Sequence, residues 1–222
     1  MTILGFDTST PATSACVLLP SGVAFEHVPD PVELTTPPAH GSELLPRVAE
    51  VMERAGVGFA ELDSIAVGVG PGTFTGLRVG IATARALAHA HGIEVHPVSS
   101  LAALAEGIDS ALRLPLIDAR RGELFAALLD RDQIVWEPFV ASPDELAKRL
   151  REAAFTPLAA GDGSVRFREV LEATGVTVEP DGSQAHAVRA LHVCRLAASI
   201  PPVPPEAVLP NYLRAPDAQP QP

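Results

Sequence analysis

The chain has 222 residues, 47% of them apolar, a formal net charge of −11 and two cysteines. Its length holds one large domain or two small lobes, and its apolar share is enough for a real core. The negative balance argues against a chain that grips nucleic acid by itself, because phosphate contacts need clustered Lys and Arg, and two distant cysteines give neither a disulfide scaffold nor a metal knuckle.

In chain order, Thr2 to Asp7 reads as an apolar strand ending in the acidic and hydroxyl turn Asp7-Thr8-Ser9-Thr10. Ala15 to Leu19 and Val23 to Val28 read as strands around Pro20-Ser21-Gly22, a meander at the amino end. Taken alone, Asp7 and its hydroxyl neighbours are ordinary turn formers. After a Pro- and Thr-rich connection, a helix is expected over 42–55. Leu44, Val48, Val51, Met52 and Ala55 share one face, Pro46 falls in the first turn and Gly56 is the stop.

Next comes Ile65 to Val69, a short apolar run of buried-strand type, broken by Gly70-Pro71-Gly72. Thr73 or Thr75 can cap the helix that follows to about His91. A strand, a glycine turn and a helix N-terminus make an anion site in principle. The phosphate-loop pattern is nevertheless missing its lysine, and the dinucleotide pattern lacks its third glycine. Within the helix Gly76, Gly80, Ala84, Ala88 and Gly92 fall four apart. Glycine there costs about 1 kcal/mol against alanine, so the stripe calls for close approach of another backbone, from this chain's own sheet or from a partner.

Glu94 to Pro97 is a further strand, and Ser99 or Ser100 caps a helix to about Gly107. The second half then starts over, with strands Leu114 to Asp118, Leu124 to Leu129 and Ile134 to Val140. A helix capped by Ser142 runs to about Ala153, and a short strand covers Leu158 to Ala160. Gly161-Asp162-Gly163-Ser164 reads as a glycine turn ahead of a helix from Val165 to Ala173, and a last helix is expected from about Ser183 to Ser199. Asp7 and Asp118 both close a first strand, which points to a duplicated two-lobe design: residues 1–98, residues 99–200, and a Pro-rich tail over 201–222. Proline takes eight of the tail's 22 positions, so the tail should be extended. It is expected to dock on the first lobe through Val208, Leu209, Tyr212 and Leu213, with its last residues disordered. No two of the seven histidines are three or four apart, so no helical ligand pair exists, no metal site is expected and all seven are read as surface or capping residues. No basic-then-apolar leader or membrane-length apolar run is present, and a cytoplasmic protein is expected.

The order Gly70-Pro71-Gly72-Thr73-Phe74-Thr75-Gly76-Leu77-Arg78-Val79-Gly80 resembles the signature of the TsaB (YeaZ) family, the bacterial partner protein in tRNA threonylcarbamoyladenosine synthesis. Ile3 to Thr10, His40 to Pro46, Val98 to Leu101, Ile117 to Glu123 and Pro210 to Arg214 also look like family landmarks, in family order. The resemblance runs from residue 2 to about 214, dense to about residue 130 and thin from there to Pro210. It implies an α/β chain of the actin-like ATPase (ASKHA) fold, two small lobes each with a mixed sheet flanked by helices. It implies a non-catalytic subunit that binds and activates a larger TsaD-type paralogue. That paralogue transfers threonylcarbamoyl from its adenylate to N6 of adenosine 37 in tRNAs reading ANN codons, and a small TsaE-type ATPase joins the complex. By resemblance the isolated chain is a homodimer and meets tRNA only through the complex. Two helices form the partner surface, with Leu44, Val48, Val51, Met52, Gly76, Arg78, Gly80 and Ala84 as contact residues. The paralogue holds a metal through a histidine pair; here the matching positions are His40 and Leu44. Asp7, Thr8, Ser9, Asp118, Gly161 and Gly163 would form a vestigial nucleotide cleft. The chain by itself needs no cofactor, and ATP or ADP would sit at the contact with the paralogue. A small-molecule kinase or ATPase of the actin-like superfamily is the alternative enzyme reading; a glycoprotease lacks its ligands.

Overall fold

The computed structural model describes residues 1–131 and 133–214. A first sheet is built from β1 (Ile3–Asp7), β2 (Ser14–Leu18), β3 (Ala24–His27), β4 (Ser64–Gly68) and β5 (Glu94–Val98). Its spatial order is β3-β2-β1-β4-β5. The first three strands form an antiparallel meander, and β4 and β5 extend the sheet from β1 in parallel. Parallel neighbours need a crossover, supplied by the helices α1 (His40–Ala55) and α2 (Phe74–His91). Side chains alternate across a strand, so Leu4 and Phe6 of β1 pack under α1 and α2 while Ile3 faces the other way.

After β5, α3 (Ser100–Ala105) is capped by Ser99, whose side chain accepts from the Ala102 amide. The plan then repeats. The second sheet comprises β6 (Leu112–Arg120), β7 (Glu123–Asp130), β8 (Gln133–Ala141), β9 (Leu158–Ala160) and β10 (Thr177–Val178), in the order β10-β9-β6-β7-β8. Again three strands form a meander and two join in parallel. The crossovers are α4 (Pro143–Ala153) and the pair α5 (Asp162–Arg166) and α6 (Arg168–Glu172). Along the outer strand β8, two register shifts against β7 leave Val135 and one residue of Glu137–Pro138 as extra residues.

A final helix, α7 (Ala190–Ala197), lies with α3 between the two sheets. Leu101, Leu104, Val193 and Cys194 there meet Ile3, Cys16 and Ala66 of the first sheet and Ile117, Phe125 and Ala127 of the second. The molecule is therefore five layers deep: α1 and α2, a sheet, α3 and α7, a sheet, then α4 and α6. The last helix is shorter than the sequence pattern predicts. A 3-10 turn at Gln184–His186 is followed by extended backbone at Arg189 before α7 begins. The break lets Arg189 pair with Glu26 of β3, and the same carboxylate accepts from the Leu191 amide at 3.1 Å, capping α7 from another element. The expected helix from Val165 to Ala173 likewise starts earlier, inside the glycine turn, and is interrupted at Phe167. α1 also starts earlier, at His40, which places Pro46 in the second turn rather than the first.

The tail docks on the first lobe through Val203 and Val208, whereas Leu209 and Tyr212, expected to dock with them, are exposed, and Arg214 reaches Glu123 and the Ala119 carbonyl of the second lobe. Val203 exchanges two backbone hydrogen bonds with Val95 at 2.8 and 3.0 Å, and Val208 is fully buried in the core under α1 and α2. The order expected of the final residues concerns positions outside the described residues. No helix among the described residues is long and apolar enough to cross a membrane.

The surface assigned from sequence to a partner needs correcting. Leu44, Val48, Val51 and Met52 of α1, and Ala84 of α2, are buried in this chain's own core, as are Gly76 and Gly80. An apolar stripe at helical spacing is what a helix needs to cover a sheet, and here the sheet uses all of it. Arg78 of that set is exposed. The glycine stripe is also explained internally: a Cβ on Gly76 would stand 1.9 Å from the Thr8 carbonyl oxygen, and one on Gly80 would stand 2.5 Å from Thr8 Oγ1. Gly76→Ala should thus lower the midpoint of chemical unfolding, although alanine improves helix propensity by about 1 kcal/mol. Gly41→Ala in the first turn of α1, where a Cβ meets nothing within 4 Å, should raise it. A midpoint for Gly76→Ala at or above that of the parent would contradict this packing.

Candidate functional site

Two turns at corresponding places in the duplicated plan carry the residues singled out from sequence. In the first lobe the carboxylate of Asp7 ends β1 and is 1% exposed. Its Oδ1 accepts from the Ser9 amide at 2.7 Å and the Ser9 hydroxyl at 2.6 Å, and its Oδ2 accepts from the Ser100 hydroxyl at 2.7 Å. Burial pushes its pKa up, against the lowering effect of these three bonds. Gly68 must be glycine, since a Cβ would stand 1.7 Å from Asp7 Oδ2. Thr8 donates its hydroxyl to the Gly76 carbonyl at 2.7 Å, and the Ser9 carbonyl accepts from the Thr73 amide at 2.8 Å. Asp7, Thr8 and Ser9 are thus turned onto α2 and the Gly70–Gly72 turn, with their polar atoms engaged by protein.

The second lobe is arranged differently. Asp118 is 5% exposed, and its Oδ2 accepts from Arg166 Nη1 at 2.7 Å and Arg120 Nη1 at 3.3 Å. Its Oδ1 accepts from the Arg120 amide at 2.8 Å. Behind it Asp162 Oδ1 accepts from the Asp118 amide at 3.0 Å. Burial, followed by the nearby Asp118 charge, pushes the Asp162 pKa up to about 6 despite the amide bonds and Arg120. Gly161 and Gly163 serve packing: added Cβ atoms would meet the Leu116 carbonyl oxygen at 1.9 Å and Leu124 Cδ2 at 2.5 Å.

These groups do not share one space. A cavity of 500 Å³ lies between the start of α2 (Gly72 to Thr75), the turn Asp118 to Arg121, and the tail from Asn211 to Arg214. Asp118 lines it, and also lines a neighbouring cavity of 340 Å³ with Arg120, Asp162 and Arg166. Asp7, Thr8, Ser9, Gly161 and Gly163 line neither, so the single cleft expected from sequence is not assembled from them. The larger cavity instead has walls that the cleft reading left out. Tyr212 stacks on Phe74 with ring centroids 5.6 Å apart, and the Arg78 guanidinium sits 3.7 Å above the Phe74 ring. Arg214 pairs with Glu123 and donates to the Ala119 carbonyl at 3.0 Å. Arg120 and Arg121 hold left-handed backbone at φ 63° and 53°, a cost non-glycine residues bear only where surrounding structure enforces it. The signal was present in the sequence, since Arg78, Arg120, Arg121 and Asn211 to Arg214 all fall in the quoted landmarks.

The histidines also need correction. His40, His96, His186 and His192 are buried rather than on the surface. Each meets a partner that a neutral ring can use: Thr13 Oγ1 at 2.7 Å from His40 Nδ1, the Ile200 carbonyl at 2.7 Å from His96, and the Ala103 carbonyl at 3.1 Å from His192. His186 Nδ1 accepts from the Gly161 amide at 3.1 Å, which leaves its Nε2 to donate to the Glu179 and Pro180 carbonyls. Burial pushes the pKa of His40, His186 and His192 down. Among the described residues no three His, Cys, Asp or Glu side chains gather to hold a metal.

A sequence model of the family described as tRNA N6-adenosine threonylcarbamoyltransferase, TsaD, matches residues 35–199. The Escherichia coli protein TsaB is 30% identical over 187 residues, covering 80% of this chain and 78% of that one. The chain belongs to the TsaB/YeaZ family. Crystallographic YeaZ from Pseudomonas aeruginosa superposes with a TM-score of 0.79 at 30% identity, covering 96% of this chain and 99% of that one. The fold of the family is the actin-like ATPase fold: an activator of 2-hydroxyisocaproyl-CoA dehydratase from Clostridium difficile matches at a TM-score of 0.50 and 10% identity, over 90% of this chain and 96% of that one. Against mycobacterial and Haemophilus influenzae relatives, the aligned part of the chain spans 40 to 58% of their length.

The raised Asp162 pKa has a signed consequence. The folded state holds this proton between the ordinary aspartate value and about 6, so its contribution to stability is present at acid pH and lost as pH rises through about 6. The full shift corresponds to about 3 kcal/mol. Asp162→Asn keeps an acceptor for the Asp118 amide without the charge. Melting temperatures of parent and variant between pH 4 and 7 should therefore diverge, the variant gaining on the parent as pH rises; a constant difference would count against the raised value.

Proposed function

We propose that this chain is a non-catalytic partner subunit in the formation of tRNA N6-threonylcarbamoyladenosine, binding and activating a larger TsaD-type catalytic paralogue. The observation that carries the reading is the state of Asp7. A carboxylate enclosed by Ser9, Ser100 and Gly68 offers no open position for a metal or a phosphate. Relatives from Escherichia coli, Bacillus subtilis and Haemophilus influenzae are named tRNA threonylcarbamoyladenosine biosynthesis protein TsaB, which supports this pathway step. The charge of −11 supports a chain that leaves tRNA contact to its partners. A small TsaE-type ATPase is the third member in this reading, and without the paralogue the chain pairs with a second copy of itself.

The contact surface in this reading is the outward side of α1 and α2, whose inward stripe the core has taken. Leu45 is 55% exposed and Phe74 is 49% exposed, and Ala49, Ala82 and Ala86 are exposed small residues on the same two helices. Small residues permit close helix crossings, and a stable contact needs roughly 800 Å² per partner. The kinase or ATPase alternative rests on the 500 Å³ cavity, where Arg120 and Arg121 face the start of α2; nucleotide at the contact with the paralogue would use the same space.

Two measurements test the proposal. The purified chain with metal, threonylcarbamoyl-adenylate and unmodified tRNA should give no product above a boiled control, and adding the paralogue and the ATPase should restore transfer. ATP hydrolysis or transfer by the chain alone would favour the enzyme alternative. Separately, Leu45→Glu and Ala86→Arg should weaken association with the paralogue by tenfold or more (about 1.4 kcal/mol) at an unchanged melting temperature. Association at the parent's level in both variants would move the interface elsewhere.

A further inference from the structure

A further cavity, of 360 Å³, lies where the starts of β4 and β5 meet the chain leaving α7, and the proposed function makes no use of it. Asp63, just ahead of β4, and Glu94 and His96 of β5 line one side, and Ser199 to Pro202 line the other. Residues two apart on a strand share a face, so Glu94 and His96 stand side by side, about 7 Å apart along the backbone. His96 lies opposite Ala66, whose side chain packs toward α3 and α7. The ring is thereby turned to the side on which α7 ends.

The buried member of this set supplies the deciding group. His96 is 2% exposed, and its Nδ1 lies 2.7 Å from the Ile200 carbonyl. A carbonyl only accepts, so Nδ1 carries the proton, and Nε2 of the neutral ring holds a lone pair. Nε2 has no hydrogen-bond partner among the described residues, and it is not one of the partnerless atoms sealed from solvent. Its opening is therefore the cavity that the ring lines. Ser64 Oγ, by contrast, is sealed and takes no part. The other polar walls are acceptors as well: the exposed carboxylates of Asp63 and Glu94, and carbonyls at the negative end of α7. Asp63 Oδ2 accepts from the Thr2 amide at 2.6 Å, which leaves Oδ1. Pro201 and Pro202 have no amide to donate, and with Ile200 they make an apolar stretch between these acceptors. The Met1 amine is the cation among the described lining groups, and Met1 is 56% exposed at the rim.

We propose that this cavity binds a small alkylammonium ligand of the diamine class. One ammonium donates to His96 Nε2 and the other to the Glu94 and Asp63 carboxylates, with the methylene stem against Ile200, Pro201 and Pro202. Acceptors at both ends of an apolar wall suit a ligand that is charged at its ends and apolar between them. A metal ion is the poorer match, because no three His, Cys, Asp or Glu side chains gather among the described residues. The site is independent of the partner reading, since neither α1, α2 nor the paralogue contributes to it.

The test is a titration of the full chain, its histidine ring nitrogens labelled with 15N, with putrescine at about pH 8, where imidazole is neutral and an alkylammonium is charged. Ionic strength is held constant with sodium chloride, and binding is read by calorimetry and by the Nε2 resonance of His96. A saturable shift is expected, with an affinity on the order of millimolar. Glu94→Gln, at an exposed position, should weaken binding by about threefold, and Glu94→Gln with Asp63→Asn by about tenfold, at an unchanged melting temperature. His96→Phe should abolish binding; should that variant fail to fold, the carboxylate pair decides. Tetramethylammonium has the charge but no N–H to donate, and it should leave the resonance in place. A signal that does not saturate, that tetramethylammonium or magnesium ion reproduces, or that the double carboxylate variant leaves intact overturns the site.

Discussion

Asp7 is a carboxylate placed where water does not reach, and three donors from two segments hold it there. Much of the first lobe follows from that placement. Ser100 must begin α3 directly after β5 so that its hydroxyl arrives at Oδ2, and the Ser100 amide also bonds the Gly70 carbonyl at 2.9 Å. Gly68 must lack a side chain so that β4 can lie against the acid. Ser9 holds the acid with its amide and hydroxyl while its carbonyl receives Thr73, so the same short turn fixes where α2 starts. A buried charge with even one donor removed is costly, which makes this cluster a constraint on four elements at once.

The duplicated second lobe uses one topology for a different electrostatic purpose. Its acid, Asp118, keeps arginine partners at the rim of two cavities, and a second acid behind it carries the perturbed pKa. Its glycines face the Leu116 carbonyl and the Leu124 side chain, with no carboxylate against them. The two lobes therefore share strand order and crossover placement while the chemistry at their strand ends differs. In the first lobe the turn is enclosed by protein; in the second it lines two cavities.

Strand positions, the amino-terminal meander and the strand–glycine–helix corner were legible because period-2 and period-3.6 patterns and Gly-Pro-Gly breaks act locally. What was not legible was the side to which a pattern turns. Leu44, Val48 and Ala84 form a stripe that serves a sheet as well as a partner helix, and only tertiary packing assigns it. Gly76 and Gly80 answer to Thr8, which is 68 and 72 positions away in sequence, so no window along the chain could show the reason. His40 and His192 look like surface residues because their partners, Thr13 and the Ala103 carbonyl, come from other elements. The break before α7 has the same origin, since Glu26 and Arg189 meet only after the meander has formed.

The two sheets end in different ways, and this bears on how the protein behaves when crowded. An exposed strand edge is a template for another chain to add to. On the outer side of β5 the chain's own tail occupies the template, with Val203 taking the Val95 bonds. On the outer side of β8 nothing comparable is seen among the described residues, and Ile134 and Val135 stand exposed there. That strand instead carries Pro138, which has no amide to offer, next to Glu137, at the point where the register slips. One edge is thus closed by occupation and the other by an interruption in its own hydrogen-bonding pattern, so both discourage strand-by-strand aggregation without enlarging the fold.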